Sequence, residues 1–391
     1  MAKVRLDDVA VEARETWNQD RKDVPVVGLE HLEPDEIWLR QWNVNPDENT
    51  FTKGFKKGQL LFGRRRAYQK KMSLAPCDGI CSGDITVIAA RPEKIVPELL
   101  PFYLRTDAFF DFAMRGSGGS LSPRVKWSHI SDYEFDLPPM DEQKKLAELL
   151  WAANDLKESY KKAITATDEM LKAKFREMFG ECGGQGDDCG FDDSRRGAET
   201  RSKWPMIELK SICSKITDGT HKTPKYLESG IMFLSAKDIQ SGHLDFSSVK
   251  YISETEYHEI QKRCMIESGD VLISKSGSLG ASAIVPADAP RFGIFESIAV
   301  IKYNREKLIG KYLDVCIKSD FVQRQFEVAS KGETIKHLHL NVLSGIQIPL
   351  PPLSLQREFV AIADKAESAK ANLKKSIAAI DQVMKGLINH G

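Results

Sequence analysis

Leu137–Pro138–Pro139, with Gln143 four residues further on, returns as Leu350–Pro351–Pro352, with Gln356 in the same place. Keeping that offset and reading backwards, Arg105–Thr106–Asp107 falls on Lys318–Ser319–Asp320, and Ser117 and Gly119 fall on Ser330 and Gly332. Gly58–Gln59–Leu60–Leu61–Phe62 faces Gly269–Asp270–Val271–Leu272–Ile273, and with small gaps Val4–Arg5–Leu6 pairs with Ile207–Glu208–Leu209. Several matches in one order and near one offset mark an internal duplication.

Each copy reads as a globular part followed by a helix. Short β-branched runs such as Ile85–Thr86–Val87–Ile88, Val271–Leu272–Ile273–Ser274 and Ile298–Ala299–Val300–Ile301 predict strands. Short helices are expected at Pro97 to Met114 and Glu306 to Ala329. The proline pairs stop the preceding strand, because proline cannot donate to a ladder and restricts the residue before it. A heptad-like pattern follows each pair. It runs Leu149, Ala153, Leu156, Tyr160, Ala163, Thr167, Met170 in the first copy. In the second it runs Leu355, Phe359, Ile362, Ala366, Ala369, Leu373, Ile377, Ile380, Met384, Leu387. Such spacing is a seam for another helix, and roughly 35 helical residues extend about 50 Å. The expected fold is α+β: two similar mixed α/β domains, 1–139 and 204–352, separated by two long antiparallel helices, 140–180 and 353–391, forming a coiled coil. Residues 181–203 read as a flexible linker, glycine-rich and poor in apolar side chains. Its Cys182 and Cys189 lack the CxxC spacing and nearby histidines of a zinc site, so no metal is expected.

With 391 residues the chain is too long for one ordinary core, and 41% hydrophobic residues suffice for two. The apolar runs are too short to span a bilayer, and Arg5, Asp7, Asp8, Glu12 and Arg14 make the start unlike a signal peptide. Seven scattered cysteines suit a reducing cytoplasm. Basic and acidic side chains balance at 56 each, so any hold on nucleic acid must come from local patches.

No phosphate-binding GxxxxGK[ST] loop, HExxH zinc helix or GxGxxG run is present, and the Pro-Pro pairs are followed by Met140 and Leu353 instead of an aromatic residue. Binding is the better reading. The strongest patch is Lys53 to Lys71, KGFKKGQLLFGRRRAYQKK, with eight basic residues and no acidic one. A charge run is usually a solvated face. Here, however, Leu60–Leu61–Phe62 predict a buried strand, which would launch Arg64, Arg65 and Arg66 from a rigid base at Gly63. Arginine forks can grip phosphates or guanine edges. Lys56, Lys57, Tyr68, Lys70 and Lys71 belong to the same candidate surface, with Arg124 and Lys126 from after Gly119. In the second copy the corresponding residues are Lys275, Ser276 and Ser278, joined by Thr220, His221 and Lys222 and by Lys336, His337 and His339. Hydroxyls and imidazoles can read base edges, although His337 and His339, alternating with leucines, could equally be the polar face of a strand.

The whole layout resembles the specificity subunit of type I restriction-modification systems. The likeness is carried above all by Ile348 to Gln356 and by Gly269–Asp270–Val271–Leu272. The resemblance implies two target recognition domains, each reading half of a bipartite site in double-stranded DNA. The helices would set the spacer and dock two modification subunits, with restriction subunits joining for cleavage. S-adenosylmethionine, ATP and Mg would sit on those partners, leaving this chain non-catalytic and without a cofactor. The linker after Gly180 departs from the pattern in being long. A coiled-coil scaffold whose globular domains bind protein remains the alternative, and a self-sufficient methyltransferase or nuclease a third reading.

Overall fold

The computed structural model describes residues 2–44, 50–117, 123–180, 204–277, 279–330 and 337–390. The linker, with Cys182 and Cys189, and the candidates Ser278 and Lys336 lie outside the described residues. The chain divides into two compact units, one formed by 1–163 with 372–391 and the other by 164–371. Each long helix, Met140–Phe179 and Leu353–His390, therefore contributes a segment to both units.

In the first unit, β1 (Ala2–Arg5) is antiparallel to β9 (Glu134–Leu137), which ends at the first proline pair. Between them run β2 (Ala10–Ala13), β3 (Val26–Val27), β4 (Lys53–Phe55), β5 (Leu60–Gly63), β6 (Met72–Leu74), β7 (Gly79–Cys81) and β8 (Ile85–Ala90). They form an antiparallel sheet in the order β2-β8-β5-β6 and a smaller sheet β3-β7-β4. Leu60, Leu61 and Phe62 on β5 are buried, as their uninterrupted apolar run requires of a strand covered on both faces.

The second unit repeats the plan. β10 (Met206–Glu208) pairs with β18 (Gln347–Pro349), so Ile207 meets Ile348 as Val4 meets Phe135. Its strands β11 (Cys213–Asp218), β12 (Ile231–Leu234), β13 (Lys250–Ile252), β14 (Val271–Ser274), β15 (Ser282–Ile284), β16 (Phe292–Ile294) and β17 (Ile298–Tyr303) give a four-stranded sheet β11-β17-β14-β15. The small sheets differ. The parallel pair β3–β7 gains its third strand beside β7, whereas the parallel pair β12–β16 gains β13 beside β12.

Two expectations need correction. The helices expected at Pro97–Met114 and Glu306–Ala329 are each broken, into Leu100–Leu104 and Asp107–Arg115, and into Gly310–Lys318 and Asp320–Ala329. At each break a hydroxyl caps the next helix: Thr106 accepts from the Phe109 N–H and Ser319 from the Val322 N–H. The stripe assigned to the first long helix is only partly covered, for Ala153, Tyr160, Ala163 and Thr167 are half-buried while Leu149, Leu156 and Met170 are exposed. The buried line runs through Gln143, Leu146, Ala147, Leu150 and Asn154 in one unit and reaches Phe175 and Phe179 in the other. Within the first unit Leu146 and Leu150 share a core with Met384, and Lys157 pairs with Asp381 at 2.6 Å. Within the second, Phe175 and Phe179 pack on Phe359, and Lys370 pairs with Asp168. In both, rising residue numbers on one helix meet falling numbers on the other, so the packed segments are antiparallel.

Candidate nucleic-acid interface

β5 ends at Gly63, and the chain is then fixed by main-chain bonds. The Arg64 N–H donates to the Asp84 carbonyl at 3.0 Å, and the Arg64 carbonyl accepts from the Val125 N–H at 2.8 Å. This lays Arg65 opposite Arg124 as an antiparallel bridge. The Asp84 carboxylate lies beneath them: Oδ1 accepts from Arg124 Nε at 2.8 Å and Oδ2 from Arg65 at 3.4 Å. Burial would push the Asp84 carboxyl upward, but the guanidiniums of Arg124 and then Arg65 outweigh it and hold it below the ordinary carboxylate value. Arg65 and Arg124 remain 38% and 51% exposed at the side chain while Asp84 is 18% exposed, so the cations face outward from an anionic base.

The rest of the basic run divides. Arg66, Tyr68 and Lys126 are exposed. Lys70 is paired with Asp107 at 2.6 Å, and Lys56 with Glu15 at 3.0 Å. Lys57 is exposed, its backbone N–H donating to Asp78. Lys71 must be removed from the candidate surface. Its ammonium donates to the Leu29 carbonyl at 2.8 Å, tying the loop to the domain. Arg64 is half-buried, and its Nε is a buried donor without a partner.

The same scaffold stands in the second unit. The Lys275 N–H donates to the Ser297 carbonyl and its carbonyl accepts from the Leu338 N–H, so Ser276 lies opposite His337 as Arg65 lies opposite Arg124. The His337 and His339 rings meet at 5.2 Å. Lys275, expected at the surface, is only 4% exposed at the side chain and salt-bridged to Asp218, so it cannot reach a ligand from there. Asp218 also accepts from Arg263 and from His221, whose other ring nitrogen lies 2.7 Å from Glu296. Burial raises the Asp218 carboxyl, but Lys275 and then Arg263 override it and set it at about 2. Thr220 holds its own turn through Lys222, which is exposed.

Sequence reasoning missed Asp84, Arg263 and Glu296. Arg263 lies at the end of a charged helix, Glu254–Cys264, where nothing distinguishes it from Lys262. Among the described residues, no group of three or more His, Cys, Asp or Glu could hold a metal ion, and no helix is long and apolar enough to cross a membrane.

Comparison with known proteins fits this duplicated scaffold. Residues 201–382 match the type I restriction modification DNA specificity domain. The type I restriction enzyme MjaVIII specificity subunit of Methanocaldococcus jannaschii is 21% identical over 80% of this chain and 73% of its own length. The putative MjaX specificity subunit of the same organism is 21% identical over 95% of this chain and 87% of its own. The crystal structure of a type I restriction-modification S subunit from M. genitalium shares the fold at a TM-score of 0.55 and 14% identity, covering 99% of this chain and 95% of that one. Residues 201–382 thus carry a type I restriction modification DNA specificity domain, and most of the chain is similar to specificity subunits of type I restriction enzymes.

Proposed function

We propose that each globular unit reads one half of a bipartite site in double-stranded DNA. The first unit uses Arg65, Arg66, Tyr68, Arg124 and Lys126, with Lys56, Lys57 and Lys70 at its margin. The second uses Thr220, His221, Lys222, Ser276, His337 and His339, with Arg263 added. The observation that carries this reading is the outward pair Arg65 and Arg124, bridged at the main chain and backed by one carboxylate. The second unit presents shorter polar side chains on the same bridge, as expected if the halves differ in sequence. The antiparallel helices act as a coiled-coil spacer between the halves. Leu149 and Leu156, one heptad apart and exposed, supply an outer apolar face for a modification subunit. The internal repeat favours two such subunits, with restriction subunits joining them. S-adenosylmethionine, ATP and Mg belong to these partners, and the assembly works on DNA in the cytoplasm.

The test is binding of cognate duplex by the assembled complex at several salt concentrations, with Arg65, Arg66 and Arg124 changed together to alanine. Each lost phosphate contact should reduce the log–log salt slope by about 0.9. An unchanged slope and affinity would remove this surface from recognition, and wild-type binding insensitive to salt would favour the protein-binding scaffold.

A further inference from the structure

Asp84 accepts from the two exposed arginines Arg65 and Arg124, and Asp218 in the other unit accepts from the exposed Arg263 and from the buried Lys275. The two carboxylates are not equivalents in the repeat. Asp84 leads into β8, whereas Asp218 ends β11, the partner of β17. Each unit thus sets a carboxylate against at least one exposed guanidinium from a different place in the fold, so duplication alone does not account for the arrangement.

A carboxylate in this place has two effects. It fixes guanidiniums that would otherwise sample many rotamers, so less freedom is lost when they meet a base edge. It also cancels part of their charge, which weakens their pull on any phosphate whatever the sequence. Both effects enlarge the difference between cognate and unrelated DNA, and specificity is that difference. Resting on the DNA-contact reading above, we propose that Asp84 is a positioning residue that sets sequence discrimination by holding Arg65 and Arg124 in one orientation and suppressing their sequence-independent attraction for DNA.

The experiment compares the full chain, assembled with its modification subunit, on two duplexes of equal length. One is the cognate sequence identified by methylation mapping, and the other is scrambled. In D84N, cognate binding should weaken about tenfold, the scale of one lost hydrogen bond to a charged group. Scrambled binding should tighten and its salt slope steepen. In the R65A/R124A background, D84N should leave the cognate-to-scrambled ratio unchanged, because Asp84 acts through those two side chains. A merely structural role would instead weaken both duplexes equally and lower the melting temperature, and D84S, which also removes the charge, serves if D84N folds poorly. An unaltered ratio in D84N, or a ratio that still shifts in the R65A/R124A background, overturns the proposal. If R65A/R124A itself leaves both duplexes unaffected, the DNA-contact reading fails, and its failure is seen separately from that of Asp84.

Discussion

Arg66 and Gly277 take the same left-handed backbone conformation, φ 55° and 73°, at equivalent points of the two repeats. Each follows the residue of the main-chain bridge, Arg65 in one unit and Ser276 in the other. The turn out of the central strand demands this conformation, and glycine meets it without a Cβ clash. An arginine there costs roughly 1–2 kcal/mol. Its retention makes sense if the guanidinium serves binding. Arg66→Gly should therefore raise the stability of the first unit by about 1 kcal/mol in denaturant unfolding, while weakening DNA binding and lowering its salt slope. Reduced stability in the glycine variant would show that Arg66 is held by packing instead.

The glutamines after the proline pairs bolt each long helix to its domain. Gln143 accepts from the Val96 N–H at 2.9 Å and donates to the Pro138 carbonyl. Gln356 accepts from the Ile309 N–H at 2.9 Å and donates to the carbonyls of Pro351 and Lys307. Both side chains are buried, so Gln143→Leu or Gln356→Leu leaves main-chain donors and acceptors unsatisfied. Each substitution should cost about 1–3 kcal/mol per orphaned group. Urea unfolding measures it, and a loss of less than half a kilocalorie in both variants would contradict this role.

Asp218 makes the second unit sensitive to acid. Its carboxyl falls from an ordinary 3.8 to about 2, so its contribution is complete above the ordinary value and is lost as pH drops toward 2. The shift corresponds to about 2 kcal/mol. Asp218→Asn leaves Lys275 buried without its counter-ion and should destabilise the unit by about 3–5 kcal/mol at neutral pH. The gap between wild type and variant should narrow between pH 4 and pH 2, where the wild type protonates. Unfolding followed across that range checks this, and a gap constant with pH would place the cost elsewhere.

The duplication was legible because its markers are backbone devices: the proline pair, the buried glutamine, and the apolar run that becomes β5 and β14. The first helix's seam was not, because its buried and half-buried line includes Asn154, Lys157, Lys161 and Asp168. Three of those polar positions are satisfied by partners distant in sequence, Lys157 by Asp381, Lys161 by Glu36 and Asp168 by Lys370. Hydropathy therefore pointed to Leu149, Leu156 and Met170, which are exposed. Lys275 misled for a similar reason. Basic residues next to glycine and serine look solvated, and only the fold brings Asp218, 57 positions earlier, against its ammonium. A carboxylate such as Asp84 carries no local signal at all, since its role depends on two arginines supplied by different loops.

The proposed spacer role carries a prediction about length. The ion pairs Lys157–Asp381 and Asp168–Lys370 lie 11 residues apart along each helix, so an insertion in one helix alone would break one of them. Seven residues inserted in both helices, between 157 and 168 and between 370 and 381, preserve the heptad phase. They add about 10 Å at 1.5 Å per residue, equal to about three base pairs. Methylated sites mapped in a host carrying the doubly extended chain should keep both half-sites and gain about three base pairs between them. A single insertion should instead reduce modification, because the helix pair then loses register on one side. Recovery of the original spacing in the doubly extended chain would mean that the distance is set by something other than these helices.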